Sequence, residues 1–257
     1  MKSARLCFLM LLIFIACKKE TTTSFTEVVS SESPNVAVAT PNPALNPGAS
    51  PTPSEPICTP AERRLCPKDE GVSDASFASF RAQMSQAVER RDSPALLKMI
   101  HPKIRTSFGD GGGIGDFRKQ WKMESSDSPL WNELAFILNN GGSFLGEGAN
   151  RPFWAPYIYS AWPEPYDAFS HVAAVTPGVA IRSKPDAAAK SITSADWEIL
   201  ELPDTQQEPP EGWRRVRTAT GVEGWVAEED VRSPVGYRAG FHKENGVWRM
   251  NALVAGD

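Results

Sequence analysis

Gly212-Trp213-Arg214-Arg215-Val216-Arg217-Thr218-Ala219-Thr220-Gly221-Val222-Glu223-Gly224-Trp225-Val226 sets the reading of this chain. Two short runs, each opened by a glycine and carrying a tryptophan, are separated by a turn-forming segment, the pattern of neighbouring strands. Gly221 and Gly224 suit tight turns or bulges where a Cβ would clash. Upstream, Gly178-Val179-Ala180-Ile181-Arg182-Ser183-Lys184-Pro185 and Trp197-Glu198-Ile199-Leu200-Glu201-Leu202 repeat the theme of short strand and turn. Such strands can curl into a small barrel that leaves few unpaired edges. The expectation is therefore a small β-barrel over residues 171–234.

Beyond Pro234 the pattern changes to a hairpin, 235–257. Tyr237, Ala239 and Phe241 alternate with Arg238, Gly240 and His242. Asn245-Gly246 makes the turn, and Trp248, Met250, Ala252 and Val254 line one face of the return strand. On the other side of the barrel, 58–170 reads as helix-rich. Asp74 or Ser73 can cap a helix reaching about Arg91, with Phe77, Phe80, Met84 and Val88 near one face. Ser93-Pro94 and Ser128-Pro129 open two further helices, Lys103 to Phe108 reads as a short strand, and Asp116 to Trp121 as a brief helix. The hairpin is surplus to the barrel. It is expected to pack back on 58–170, making an α+β domain with the barrel inserted.

The glycine-rich loop Gly109-Asp110-Gly111-Gly112-Gly113 precedes a helix, as phosphate cradles do. It lacks the Lys-Ser/Thr of a P-loop and the dinucleotide spacing, so it reads as a turn. The rings of Phe153, Trp154, Tyr157, Tyr159, Trp162 and Tyr166 suit either core packing or a ligand grip.

The N-terminus gives the address. Lys2 and Arg5 precede an apolar run from Leu6 to Ile15 that is too short for a membrane span, which needs about 20 residues. Phe14-Ile15-Ala16-Cys17 resembles a bacterial lipobox. That resemblance implies cleavage of a signal peptide, 1–16, and a lipid on Cys17 that holds the protein to a membrane. Lys18, where Asp would retain the protein, implies outer-membrane sorting. Residues 17–57 are rich in Pro, Ser and Thr, with Phe25 the only aromatic, and read as a disordered tether. Its reach runs from roughly 35 Å as a coil to about 120 Å as extended polyproline-type chain. Cys58 and Cys66 bracket a short loop, which in an exported protein reads as a disulfide.

The stretch 172–233 resembles a bacterial Src-homology-3-type domain. Its carriers are the Gly178–Pro185 strand and turn, the two Gly-Trp strands quoted first, and Val231 near the close. Ala180 and Lys184 depart from the residues usual there. The resemblance implies contact with peptidoglycan peptide or a protein partner, and the candidate contacts are Trp213, Trp225, Arg182 and Arg215. A second resemblance runs from Phe77 to Trp121, carried by Ala87-Val88-Glu89-Arg90-Arg91-Asp92 and Leu96-Leu97, and points to SnoaL-like α+β domains. It implies a pocket that binds or acts on a small molecule, lined by Trp121, Phe153, Tyr157 and Trp248.

Composition narrows the function. Hydrophobic residues make up 41% of the 257, enough for a packed core. Net charge is -4, and seven basic against eleven acidic residues lie within 171–234, so the chain offers no footprint for nucleic acid. His101, His171 and His242 are scattered, and no metal-ligand or cofactor motif is present. With one cysteine read as lipidated and two as paired, a thiol nucleophile is missing. The expectation is an exported, lipid-anchored, non-catalytic binding or scaffold module with no cofactor.

Overall fold

Asp74 starts the first long element. Its Oδ1 accepts the backbone N–H groups of Ser76 at 2.8 Å and Phe77 at 2.9 Å, satisfying donors that a helix start leaves open. The computed structural model describes residues 57–109, 111–148, 150–204 and 208–256; the signal segment, Cys17 and the tether up to residue 56 lie outside the described residues. Helix α1 (Ala75–Glu89) is followed by α2 (Ser93–Lys98), strand β1 (Ile100–Arg105), α3 (Gly113–Gln120) and α4 (Leu130–Asn139). Strands β2 (Ser143–Phe144) and β3 (Phe153–Ala155) and the short α5 (Tyr157–Ser160) complete the first stretch. Then come β4 (His171–Ala174), β5 (Val179–Arg182), β6 (Ser191–Ala195), β7 (Ile199–Glu201), β8 (Trp213–Arg217), β9 (Glu223–Ala227) and β10 (Val231–Arg232). The hairpin β11 (Arg238–Glu244) and β12 (Val247–Val254) ends the order, turning at Asn245 (φ 50°) and Gly246 (φ 81°).

Twelve strands in two sheets stand against five α-helices among the described residues, so the chain is mostly β. This overturns the helix-rich expectation for 58–170. That region contributes β1, β2 and β3, which become strands by pairing with distant chain. β1 runs parallel to β12 (Ile100 opposite Met250), β3 antiparallel to β11 (Phe153 opposite Phe241), and β2 antiparallel to β3. The resulting five-stranded sheet has the order β1-β12-β11-β3-β2. Helices α1 to α4 cover it around a core that includes Phe77, Met84, Leu96, Phe117, Leu134, Phe153, Phe241 and Trp248.

The barrel expectation is corrected as well. Strands β4 to β10 form a seven-stranded sheet with the open order β10-β4-β7-β8-β9-β5-β6, and no pairing joins β10 to β6 among the described residues. One end of this sheet is held elsewhere. Ala173 of β4 and Ile199 of β7 pack under Leu65, Tyr157 and Ile158, which spreads that end against the first half of the molecule. Both sheets belong to one compact unit.

A strap joins them. Cys58 and Cys66 form a disulfide with Cα atoms 5.5 Å apart. Between and beyond them, the Leu65 N–H donates to the Trp197 carbonyl (2.8 Å) and the Ile199 N–H to the Arg63 carbonyl (2.7 Å). A few residues on, the Gly142 N–H donates to the Lys68 carbonyl (2.8 Å) and the Glu70 N–H to the Gly142 carbonyl (2.9 Å). Gly142 is forced by space. A Cβ there would lie 2.1 Å from the Trp154 carbonyl oxygen, so only glycine lets strap and β3 close on the same residue.

Candidate functional site

The alternation of side chains along β8 puts Trp213, Arg215 and Arg217 on one face and Arg214 and Val216 on the other. Val216 is fully buried, which identifies the second face as the inner one. Register extends the outer face across the sheet, because directly opposed residues in antiparallel strands project to the same side. Trp225 on β9 stands opposite Arg215 on β8 and opposite Arg182 on β5. Trp213 lies one pleat away, opposite Ala227. The structure thus brings all four candidate contacts onto one face, in a cross-strand row Arg182–Trp225–Arg215 with Trp213 beside it. Both tryptophans are partly buried and Arg215 is exposed.

The cations in this row are not equivalent. Arg182 donates through Nη1 to the Ala189 carbonyl at 2.9 Å and so holds the β5–β6 loop. Arg215 pairs with Glu223 at 2.9 Å. Glu223 also pairs with Arg217 at 2.7 Å, and Arg217 with Glu201 at 2.7 Å. The Arg217 and Arg215 guanidinium groups hold the Glu223 carboxyl below the ordinary glutamate range. This second row, His171–Glu201–Arg217–Glu223, runs parallel to the first. The sequence reading missed it. The signal was available in the alternation of Arg215 and Arg217 opposite Glu223, but it becomes legible only once the register is known.

The face therefore offers two aromatic surfaces flanked by two guanidinium groups, Arg215 paired with the Glu223 carboxylate and Arg182 held by a neutral carbonyl. Stacking on a ring or apolar moiety, with hydrogen bonds from the arginines, is what such a row can do.

The second candidate set comes apart. Trp121 packs on Tyr237 with ring centroids 4.6 Å apart. Phe153 and Trp248 belong to the ring cluster around Phe77, at 4.3 and 5.0 Å from it. Tyr157 sits in the separate cluster with Leu65 and Ile199. All four are buried in core, and no single cavity among those found joins them. A small cleft of about 190 Å³ does touch Trp248, but its other walls are Ser73, Asp74, Phe144, Gly148 and Arg151. Burial pushes the Tyr157 phenol up to about 12, so it stays neutral at physiological pH.

The glycine loop is also accounted for. A Cβ on Gly112 would lie 2.7 Å from the Ile104 carbonyl oxygen, and the Gly112 N–H donates to the side chain of Asp116 at 2.8 Å. A carboxylate from within α3 thus occupies the position a phosphate would take, and the glycine is required by close approach to β1. The histidines stay apart. His101 accepts from the Lys103 N–H at 3.1 Å, and the Nδ1 of His171 lies 3.0 Å from the Asp167 carbonyl. Among the described residues no group of three or more His, Cys, Asp or Glu is placed to hold a metal ion, and no helix is long and apolar enough to cross a membrane. Comparison with protein-family models, with curated proteins and with solved structures found no match.

Proposed function

We propose that this chain is a non-catalytic binding protein of the bacterial cell envelope, tethered through lipid on Cys17, with the outer face of the seven-stranded sheet as its contact surface. The observation that carries the reading is the register row Arg182–Trp225–Arg215, with Trp213 adjoining on the same exposed face. The sequence resemblance of 172–233 to bacterial Src-homology-3-type domains supports wall peptide as the partner, with an envelope protein as the other occupant of the same face. The Cys58–Cys66 bond supports an exported protein, since disulfides persist in oxidising compartments. It also removes both thiols as nucleophiles.

The test uses the mature chain and purified peptidoglycan. Retention that is lost in Trp225→Ala and in Trp213→Ala, with melting temperature unchanged, is the expected result. Equal retention of wild type and both variants removes the outer face as the contact surface. Labelled palmitate tests the anchor separately: it enters the wild-type product and is absent from Cys17→Ala.

A further inference from the structure

Arg182 and Arg215 flank the same tryptophan, yet only one of them is open to an anion. Arg215 donates to the Glu223 carboxylate at 2.9 Å, so an incoming anion meets that negative charge first. Arg182 instead donates through Nη1 to the neutral Ala189 carbonyl at 2.9 Å. Its Nε and Nη2 carry no bond to the protein among the described residues, and both keep solvent access. These two atoms direct their N–H groups to the same side of the planar guanidinium, the edge that takes both oxygens of a carboxylate. With Nη1 anchored on the β5–β6 loop, that fork is oriented before a ligand arrives. The neighbouring charge agrees with an anion. Between residues 182 and 190, Arg182, Lys184 and Lys190 stand against Asp186 alone. Both lysines are exposed, and the Asp186 side chain accepts from the Ala188 N–H at 2.8 Å. This end of the outer face is positive although 171–234 as a whole is acidic.

Trp225 stands directly opposite Arg182, on a strand whose backbone lies about 4.8 Å away. A carboxylate seated on Arg182 therefore brings the group a few bonds behind it toward the Trp225 ring. In a C-terminal carboxylate that group is the last side chain of a peptide. In an Asp or Glu side chain it is peptide backbone, which is polar and gains less from the ring. Inorganic phosphate or sulfate could take the same fork but brings nothing to the tryptophan. Building on the outer-face reading above, we propose that this face recognises the free C-terminal carboxylate of a peptide whose last side chain is apolar or aromatic. The carboxylate accepts from Nε and Nη2 of Arg182, and the last side chain stacks on Trp225.

The experiment is titration calorimetry on the mature chain with N-acetyl-alanyl-phenylalanine. Its C-terminal amide removes the charge, and N-acetyl-aspartyl-phenylalanine amide moves the carboxylate to a side chain. The free acid is expected to bind saturably, and each comparison peptide about tenfold more weakly. Arg182→Gln should weaken the free acid by a similar factor, and Arg215→Gln by less. The comparison peptides leave the protein unaltered, so they decide the matter even where Arg182→Gln disturbs the β5–β6 loop. Absence of saturable binding by the free acid overturns the proposal. So does equal binding of either comparison peptide, or a loss in Arg215→Gln as large as in Arg182→Gln. Peptidoglycan retention separates this inference from the reading it rests on. Retention lost in Trp225→Ala but unchanged once the wall carboxylates are converted to methylamides keeps the face and overturns the carboxylate. Absent retention, with the free acid still bound through Arg182, removes the wall as partner and supports the carboxylate.

Discussion

Replacing Cys58 and Cys66 by alanine together should expose how the strap works. The bond closes a loop with a sequence separation of 8, for which chain entropy gives about 2.6 kcal/mol of stabilisation. A domain of this size shifts its melting temperature by roughly 2–4 °C per kcal/mol, so the double variant should melt about 5–10 °C lower. That figure holds if the strap stays docked without its covalent closure, through the Arg63–Ile199 and Leu65–Trp197 backbone bonds and burial of Leu65 at 5% exposure. If the strap peels away instead, loss of the Leu65 contacts adds about 2–5 kcal/mol, the range of a buried leucine truncation. Urea denaturation of the variant, and of the wild type with and without reductant, measures the total. Hydrogen exchange at the Leu65 and Ile199 amides tells the two cases apart, because only peeling removes their protection. A loss under about 1 kcal/mol with protection intact would refute the loop-entropy reasoning.

Substitutions at three further positions probe other parts of the fold. Phe77→Ala should cost about 3–5 kcal/mol in urea denaturation, since the ring is fully buried and faces Phe80, Phe144, Phe153, Phe241 and Trp248. Asp74→Ala should cost about 1 kcal/mol by the same measurement, and Asp74→Asn much less, because the amide oxygen still caps α1. Glu223→Gln should flatten the acid limb of the stability curve. The Glu223 carboxyl is held below its usual value of 4.5, first by Arg217 and then by Arg215, so its contribution is complete above pH 4.5 and disappears as pH falls through the lower folded-state value. Melting temperature recorded from neutral pH downward checks this, and a limb as steep as in wild type counts against the ion-pair row.

Local chemistry was the legible part. The carboxylate of Asp74 and the Asn245-Gly246 dipeptide act through their nearest neighbours, so a linear reading locates α1 and the β11–β12 turn. Boundaries set by distant pairing were less accessible. The strand expected at Lys103–Phe108 is β1 at Ile100–Arg105, running across Pro102 because its register comes from Met250 and Ala252 of β12. The second helix takes its cap from Asp92, whose side chain accepts from the Ala95 N–H, one residue before the Ser93-Pro94 pair read as opening it. Strands of two and three residues, β2 and β3, are too short to show alternation at all. Their invisibility is why 58–170 read as helix-rich. The tryptophan row was half legible: alternation puts Trp213 and Arg215 on one face, whereas the pairing of Arg215 with Glu223 needs the strand register.

The attachments of the seven-stranded sheet bear on what a binding face on it could do. It enters the chain between β3 and β11, so both its ends are fixed to strands of the other sheet. Three side ties add to these: the disulfide-closed strap, the packing of Ala173 and Ile199 under Tyr157 and Ile158, and the Arg232–Glu133 pair. Rotation of one sheet against the other must break at least the last two together, and residues that share partners lose their interactions cooperatively rather than singly. A face held this way is ordered before a ligand arrives, so less ordering entropy opposes association than on a mobile loop.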